Sequence, residues 1–197
     1  RRCFDIGELC RRQVNLFQYS AQARNICLKA HVEPQSPWVY ADELVLDRRT
    51  MAIAPGSLAV LEDSERRPLA LVTVNPKSKI TARVMDRDPA VSVDRDWIGA
   101  RVARALAMRE RLYTAPFYRL VHAEADGLPG VVIDRFGDTA VIQPNAAWAE
   151  AMSDELAAAL ASVTGVATIV KNGTGRSRGP EGVAEETGGR KGEVAGP

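Results

Sequence analysis

The spacing of apolar and polar residues changes character once along the chain. From Gly56 to Met85, three short runs rich in β-branched and aliphatic residues, GSLAVLED (56–63), PLALVTVN (68–75) and ITARVM (80–85), are separated by the polar stretches SERRP and PKSK. Runs of this length, bounded by turn-forming residues, predict strands at hairpin spacing and therefore a compact antiparallel sheet or small barrel. PWVY (37–40) is a further short aromatic strand candidate, and Pro55-Gly56 is a turn signal.

A helical period begins at Asp94, which is suited to cap a helix N-terminus. Ile98, Val102, Ala105, Leu106, Met108 and Leu112 fall mostly on one face as far as about Tyr113. Pro116 closes that segment. YRLVHAE, VVIDRF and DTAVIQ then read as three strands joined by glycine-containing turns. Trp148, Met152, Leu156 and Leu160, four apart, mark a second helix with Ser153 to Glu155 on its outer side, and ATIVK (167–171) is a last strand. The chain thus divides near residue 86 into a β front module and a strand-helix-strand rear module of the α+β type. No internal repeat is present. Residues 172–197 are rich in Gly, Arg and Glu without hydrophobic period and read as a polar, flexible linker.

At 197 residues and 46% hydrophobic content the chain can bury a real core. No run approaches the roughly 18 apolar residues that a membrane span needs, and the front lacks a signal-peptide apolar region, so a cytoplasmic location without membrane contact is expected. The net charge of +1 conceals an asymmetry: residues 1–30 hold six Arg/Lys against two acids, the remainder twenty against twenty-three. A basic arm of this kind usually stays solvated but can touch nucleic acid. Cys3, Cys10 and Cys27 are odd in number and form no C-x-x-C pair, and His31 and His122 are the only histidines. Reduced thiols, and no metal centre, are expected.

The stretch EADGLPGVVIDRFGD (124–138) concentrates acids, glycines and a proline. An EF-hand loop fails, because counting from Asp126 puts Leu and Gly at positions three and five and Gly137 at position twelve. A glycosidase-like pair from Glu124 with Asp126 or Asp134 has no accompanying sugar-pocket signal. A turn reading accounts for more residues: Gly127 and Gly130 supply positive φ, Pro129 pre-sets φ near −65°, Asp126 bonds forward to the backbone, and Phe136-Gly137-Asp138 makes a second turn. On this reading the acids form turns and caps.

The run YRLVHAEADGLPGVVIDRFGDTAVIQ resembles the middle region of RlmI-type class I SAM-dependent methyltransferases, which methylate C5 of a cytosine in 23S ribosomal RNA. SPWVYADEL, PGSLAVLED, NPKSKITARVMDRDP and the helix from Asp94 resemble, in the same order, that family's PUA domain and the start of its central module. The resemblance runs from about Leu28 to Pro197. It implies an unassigned basic arm (1–27), a small PUA-like, RNA-binding β-barrel (28–86), a central α+β module (87–171) and a linker (172–197). The family's third part, a SAM-binding Rossmann domain, is not legible here: GTGRSRG (173–179) follows no convincing strand-to-helix turn. The family attacks C6 of the base with a cysteine thiolate, and this chain has no cysteine after Cys27. The resemblance therefore implies the N-terminal portion of a methyltransferase, catalytically incomplete alone, with no catalytic residues and no bound cofactor. S-adenosylmethionine is expected only for the full-length family, and ribosomal RNA, the missing methyltransferase domain and a second copy of the chain are the expected partners. The front departs from its relatives, since HVEPQ precedes Ser36-Pro37-Trp38-Val39 where they carry a basic stretch into His-Pro-Trp-Val.

The residues suited to RNA are Arg66, Arg67, Lys77, Lys79, Arg83 and Arg87 on the hairpins and their exit, with Trp38 and Tyr40 as stacking faces. On the helix, Arg101, Arg104 and Arg111 cluster within roughly 80° at 100° per residue, a stripe able to meet phosphates. Two other classes are kept: a non-catalytic protein-interaction module, and a small independent enzyme using His122, Glu124 and Asp126.

Overall fold

The computed structural model describes residues 52–62, 67–78, 80–174 and 178–184, and the backbone of 190–193. Trp38, Tyr40, Lys79 and Arg66, and the basic arm as a whole, lie outside the described residues.

The three front runs form β1 (Ser57–Glu62), β2 (Pro68–Val74) and β3 (Ala82–Asp86), an antiparallel sheet in sequence order. Ala59 pairs with Val72 and Val72 with Val84, so their side chains share one face with Ala70 and Val74 and make a small apolar cluster. The opposite face of β2 and β3 sends Leu71 and Met85 into the main core.

Helix α1 (Arg95–Glu110) starts where expected: the Asp94 carboxylate accepts a 2.9 Å hydrogen bond from the Trp97 amide. Its buried stripe is Trp97, Ile98, Val102 and Ala105. Met108 and Leu112, expected on that stripe, are 55% and 66% exposed, and Leu112 lies beyond the helix end at Glu110.

The rear sheet has the order β4 (Phe117–His122), β5 (Val131–Phe136), β6 (Thr139–Pro144), β7 (Thr168–Lys171) and β8 (Arg190–Glu193). β4 stops at His122: Ala123 and Glu124, expected to extend it, coil with Ala125 and Asp126 into a 3-10 turn closed by Gly127 in the left-handed region. β6 and β7 run parallel, which requires a crossover. Two helices supply it, α2 (Ala147–Ala151) and α3 (Ser153–Thr164), in place of the single helix expected. The break falls at Met152, where the Ser153 hydroxyl donates to the carbonyls of Glu150 (2.7 Å) and Ala149 (3.3 Å).

α1 and α3 pack together over one face of this sheet. Ile98, Leu120, Leu128, Ile133, Leu156 and Leu160 are fully buried between them, each worth roughly 1.5–3 kcal/mol of burial. Trp97 and Trp148 meet edge to face at 6.3 Å. The Trp148 indole donates to the Pro129 carbonyl at 2.7 Å, so its one polar atom is satisfied in the core.

The polar stretch after β7 is not wholly a linker. Gly179–Glu181 is a 3-10 turn, and β8 adds antiparallel to β7. Arg178 is 1% exposed. Composition misses this because the segment packs through charged side chains and carries no apolar period.

Candidate nucleic-acid interface

The turn reading of Glu124–Asp138 holds for the glycines: Gly127, Gly130 and Gly137 have φ of +76°, +73° and +64°. It fails for the acids. Asp126 bonds backward, accepting from the His122 amide at 2.7 Å, and takes a two-pronged contact from Arg109 at 2.9 and 2.7 Å. Glu124 pairs with Arg83, and Asp134 with Arg119. These carboxylates are bound to arginines of other elements. Glu124 and Asp126 are therefore both engaged by arginines, and His122 is exposed beside them.

A chain of contacts runs along this side of the molecule. At one end, β2 and β3 are joined by the turn Asn75–Ser78, with Lys77 exposed at its tip. Beneath it, Glu181 takes hydrogen bonds from Ser78 (2.8 Å), Asn75 (3.2 Å) and Arg83 (2.6 Å). Arg83 also reaches Glu124 in the 3-10 turn, and the Asp126 carbonyl accepts from Arg104 of α1 at 3.2 Å. The series ends on α1, where Arg101 lies 3.4 Å over the Trp97 ring and 2.5 Å from Asp86.

The expected RNA contacts separate on this ladder. Arg83 turns inward, its side chain 13% exposed between two carboxylates, because it joins front and rear modules. Arg101 is likewise committed, to Trp97 and Asp86. Lys77, Arg87, Arg104 and Arg111 face solvent, as does Arg67. Of these, Lys77 and Arg111 have no carboxylate partner among the described residues, and Arg104 bonds only a carbonyl. Arg104 and Arg111, seven residues apart, share one helix face about 10 Å apart. Arg109, Arg178 and Glu181 were missed by sequence reasoning: each stands alone in its local pattern, and its partner is distant in sequence.

Two carboxyls are held below their ordinary values. Burial pushes the Asp86 carboxyl up, but the Asp88 amide, the Trp97 indole and Arg101 outweigh it. Burial acts the same way on Glu150, and Lys171 and Arg178 more than offset it.

A cavity of about 10 Å³ between the modules, lined by Thr73, Asn75, Arg83, Trp148 and Glu181 among others, has room for a water molecule. β6 passes to α2 through Asn145-Ala146. Among the described residues no group of His, Cys, Asp and Glu could hold a metal ion, and no helix is long and apolar enough to cross a membrane.

The profile of the family described as PUA-like domain matches residues 29–87. Ribosomal RNA large subunit methyltransferase I of Cronobacter sakazakii is 36% identical over 127 residues, covering 63% of this chain and 32% of its own length. The Aliivibrio fischeri protein of the same name is 32% identical over 178 residues, covering 89% of this chain and 43% of its own length. A ribosomal RNA large subunit methyltransferase of Deinococcus radiodurans is 33% identical over 126 residues, covering 60% and 30%. The chain therefore spans between 30% and 43% of the length of these relatives. The solved structure of a protein assigned as a SAM-dependent methyltransferase from Streptococcus mutans superposes with a TM-score of 0.55 at 17% identity over 60% of this chain and 32% of that one, a likeness of fold alone. With a match to the PUA-like domain at 29–87 and identities of 32–36% to these relatives, the chain carries an RlmI-like N-terminal region.

Proposed function

We propose that this chain grips ribosomal RNA and presents it for base methylation, while the transfer chemistry, S-adenosylmethionine included, resides outside these 197 residues. The observation that carries the reading is the contrast among its cations. Arg83, Arg101, Arg109, Arg119 and Arg178 are each paired with a carboxylate, whereas Lys77, Arg104 and Arg111 point to solvent with none among the described residues. The paired arginines stiffen the scaffold. The solvent-facing ones are available to phosphates. Binding of this kind recognises backbone and shape, releases counterions and weakens steeply with salt.

The test is a gel shift with 23S ribosomal RNA fragments across a salt series, in the intact chain and in K77A/R104A/R111A. The triple variant should bind more weakly and flatten the slope of log affinity against log salt by about 2, near 0.7 per lost contact on single strands. An unchanged slope overturns the assignment of these three residues.

A second reading has its own observation. Met108, Leu112, Tyr113, Phe117 and Phe136 are all more than half exposed where α1 meets β4 and β5, a surface suited to another protein or to a second copy. Absence of any RNA shift at low salt, with a salt-insensitive complex or dimer in its place, would favour it.

A further inference from the structure

We propose that Glu181 is a positioning residue for the turn that carries Lys77, so that the hold on RNA depends on how residues 178–184 are docked. This rests on the reading that Lys77 meets RNA.

The turn is closed locally by Asn75 N–H to Thr81 O (2.7 Å) and Ser78 N–H to Asn75 O (3.1 Å). The Asn75 side chain accepts from the Lys77 amide at 3.1 Å, and the Ser78 hydroxyl accepts from the Ile80 amide at 3.0 Å. Both of these side chains are in turn held by Glu181. Its carboxylate accepts from the Ser78 hydroxyl and the Asn75 amide, and its carbonyl accepts from the same Asn75 amide at 2.7 Å. Asn75 and Ser78 are thus relays: Asn75 touches Glu181 through Nδ2 and the Lys77 amide through Oδ1, and the single Ser78 Oγ both donates to Glu181 and accepts from the Ile80 amide. All three are buried, at 5%, 2% and 6% exposure.

The other end of the segment is pinned as firmly. Arg178 donates to the Pro144 carbonyl (2.7 Å), Glu150 (2.9 Å) and the Ala184 carbonyl (2.7 Å). Gly182 then passes directly under Lys77, where a Cβ would lie 3.9 Å from the lysine Cβ. A buried carboxylate is tolerated only while its donors are in place, so the loop and the turn order together. Among the described contacts Glu181 makes none with the Lys77 ammonium, so it acts on the placement of that charge.

This predicts a sign opposite to simple electrostatics. Glu181→Gln removes a negative charge near the RNA face, which by charge alone should tighten binding. Gln also turns an NH2 toward groups that donate to the carboxylate, so the turn loosens and binding should weaken by about tenfold, the low end of the loss expected for one charge-assisted hydrogen bond. The experiment is fluorescence anisotropy of the full chain with labelled 23S ribosomal RNA fragments, for wild type, K77A, E181Q and the double variant, with hydrogen exchange at the Ser78 and Ile80 amides. E181Q should weaken binding, speed exchange at both amides, and add less than twofold to the loss caused by K77A, as coupled sites do. Should E181Q prevent folding, Ser78→Ala, which deletes a single bond to Glu181, is expected to move binding and exchange the same way. If K77A weakens binding but the folded E181Q or S78A binds as tightly as wild type or tighter, the positioning role is overturned and the RNA reading stands. If K77A itself is silent, the RNA reading of the turn falls, and the positioning role with it.

Discussion

The Asp126 carboxylate collects three donors, two from Arg109 and one from the His122 amide, with side-chain exposures of only 9% for the aspartate and 14% for the arginine. Removing one partner leaves the other charge half-desolvated, so Asp126→Ala should cost about 3 kcal/mol, read as a lowered urea midpoint. The sequence marks Asp126 as a turn residue because it precedes glycine, a local signal. Its ion pair is invisible there, since Arg109 becomes a neighbour only once α1 lies across β4. Glu150 provides a second test at this scale. Its carboxyl is held below its ordinary value in the fold by Lys171 and Arg178 in spite of burial, so its contribution is complete above that ordinary value and is lost as pH falls through the depressed one. Stability should decline as pH falls below the ordinary carboxylate value of about 4.5, and less steeply in Glu150→Gln, when unfolding is followed through the acid range.

Among the elements, each strand and helix expected within the described residues is present, because runs of four to eight apolar residues and a helical stripe are decided by local periodicity. What periodicity cannot show is where tertiary contact stops. Met108 and Leu112 continue the period of α1 but are exposed, and the Trp148–Leu160 stripe continues through a break at Met152. Gly130 illustrates a constraint that is only half legible. Its positive φ is implied by Pro129-Gly130, whereas its closeness to the start of α2 is not. A Cβ there would lie 2.5 Å from the Ala146 Cβ, at φ +73°. Gly130→Ala should therefore destabilise by about 2–4 kcal/mol, strain and overpacking together, measured by thermal and denaturant unfolding. The same chain with Gly165→Ala, where nothing lies within 4 Å, carries only the backbone strain and should lose less.

For the whole molecule, the part least legible from sequence is the return of the chain after β7. Arg178 and Glu181 bring that segment back against both modules through charge, where the hydrophobic pattern offers nothing to follow. Arg178→Ala should free it, and limited trypsin digestion followed by mass spectrometry should find cleavage between residues 172 and 190 about tenfold faster than in wild type, since proteolysis tracks local opening. The small front sheet has a different dependence. Leu71 and Met85 insert their side chains among Trp97, Val102 and Trp148, while Ala70, Val72 and Val74 of the same sheet line the lesser apolar cluster. Recombining this chain with another at residue 86 would carry two plugs of the rear interior away with the front, leaving holes the size of a leucine and a methionine. A workable chimera has to match positions 71 and 85 to the new host before any question of RNA preference can be asked of it.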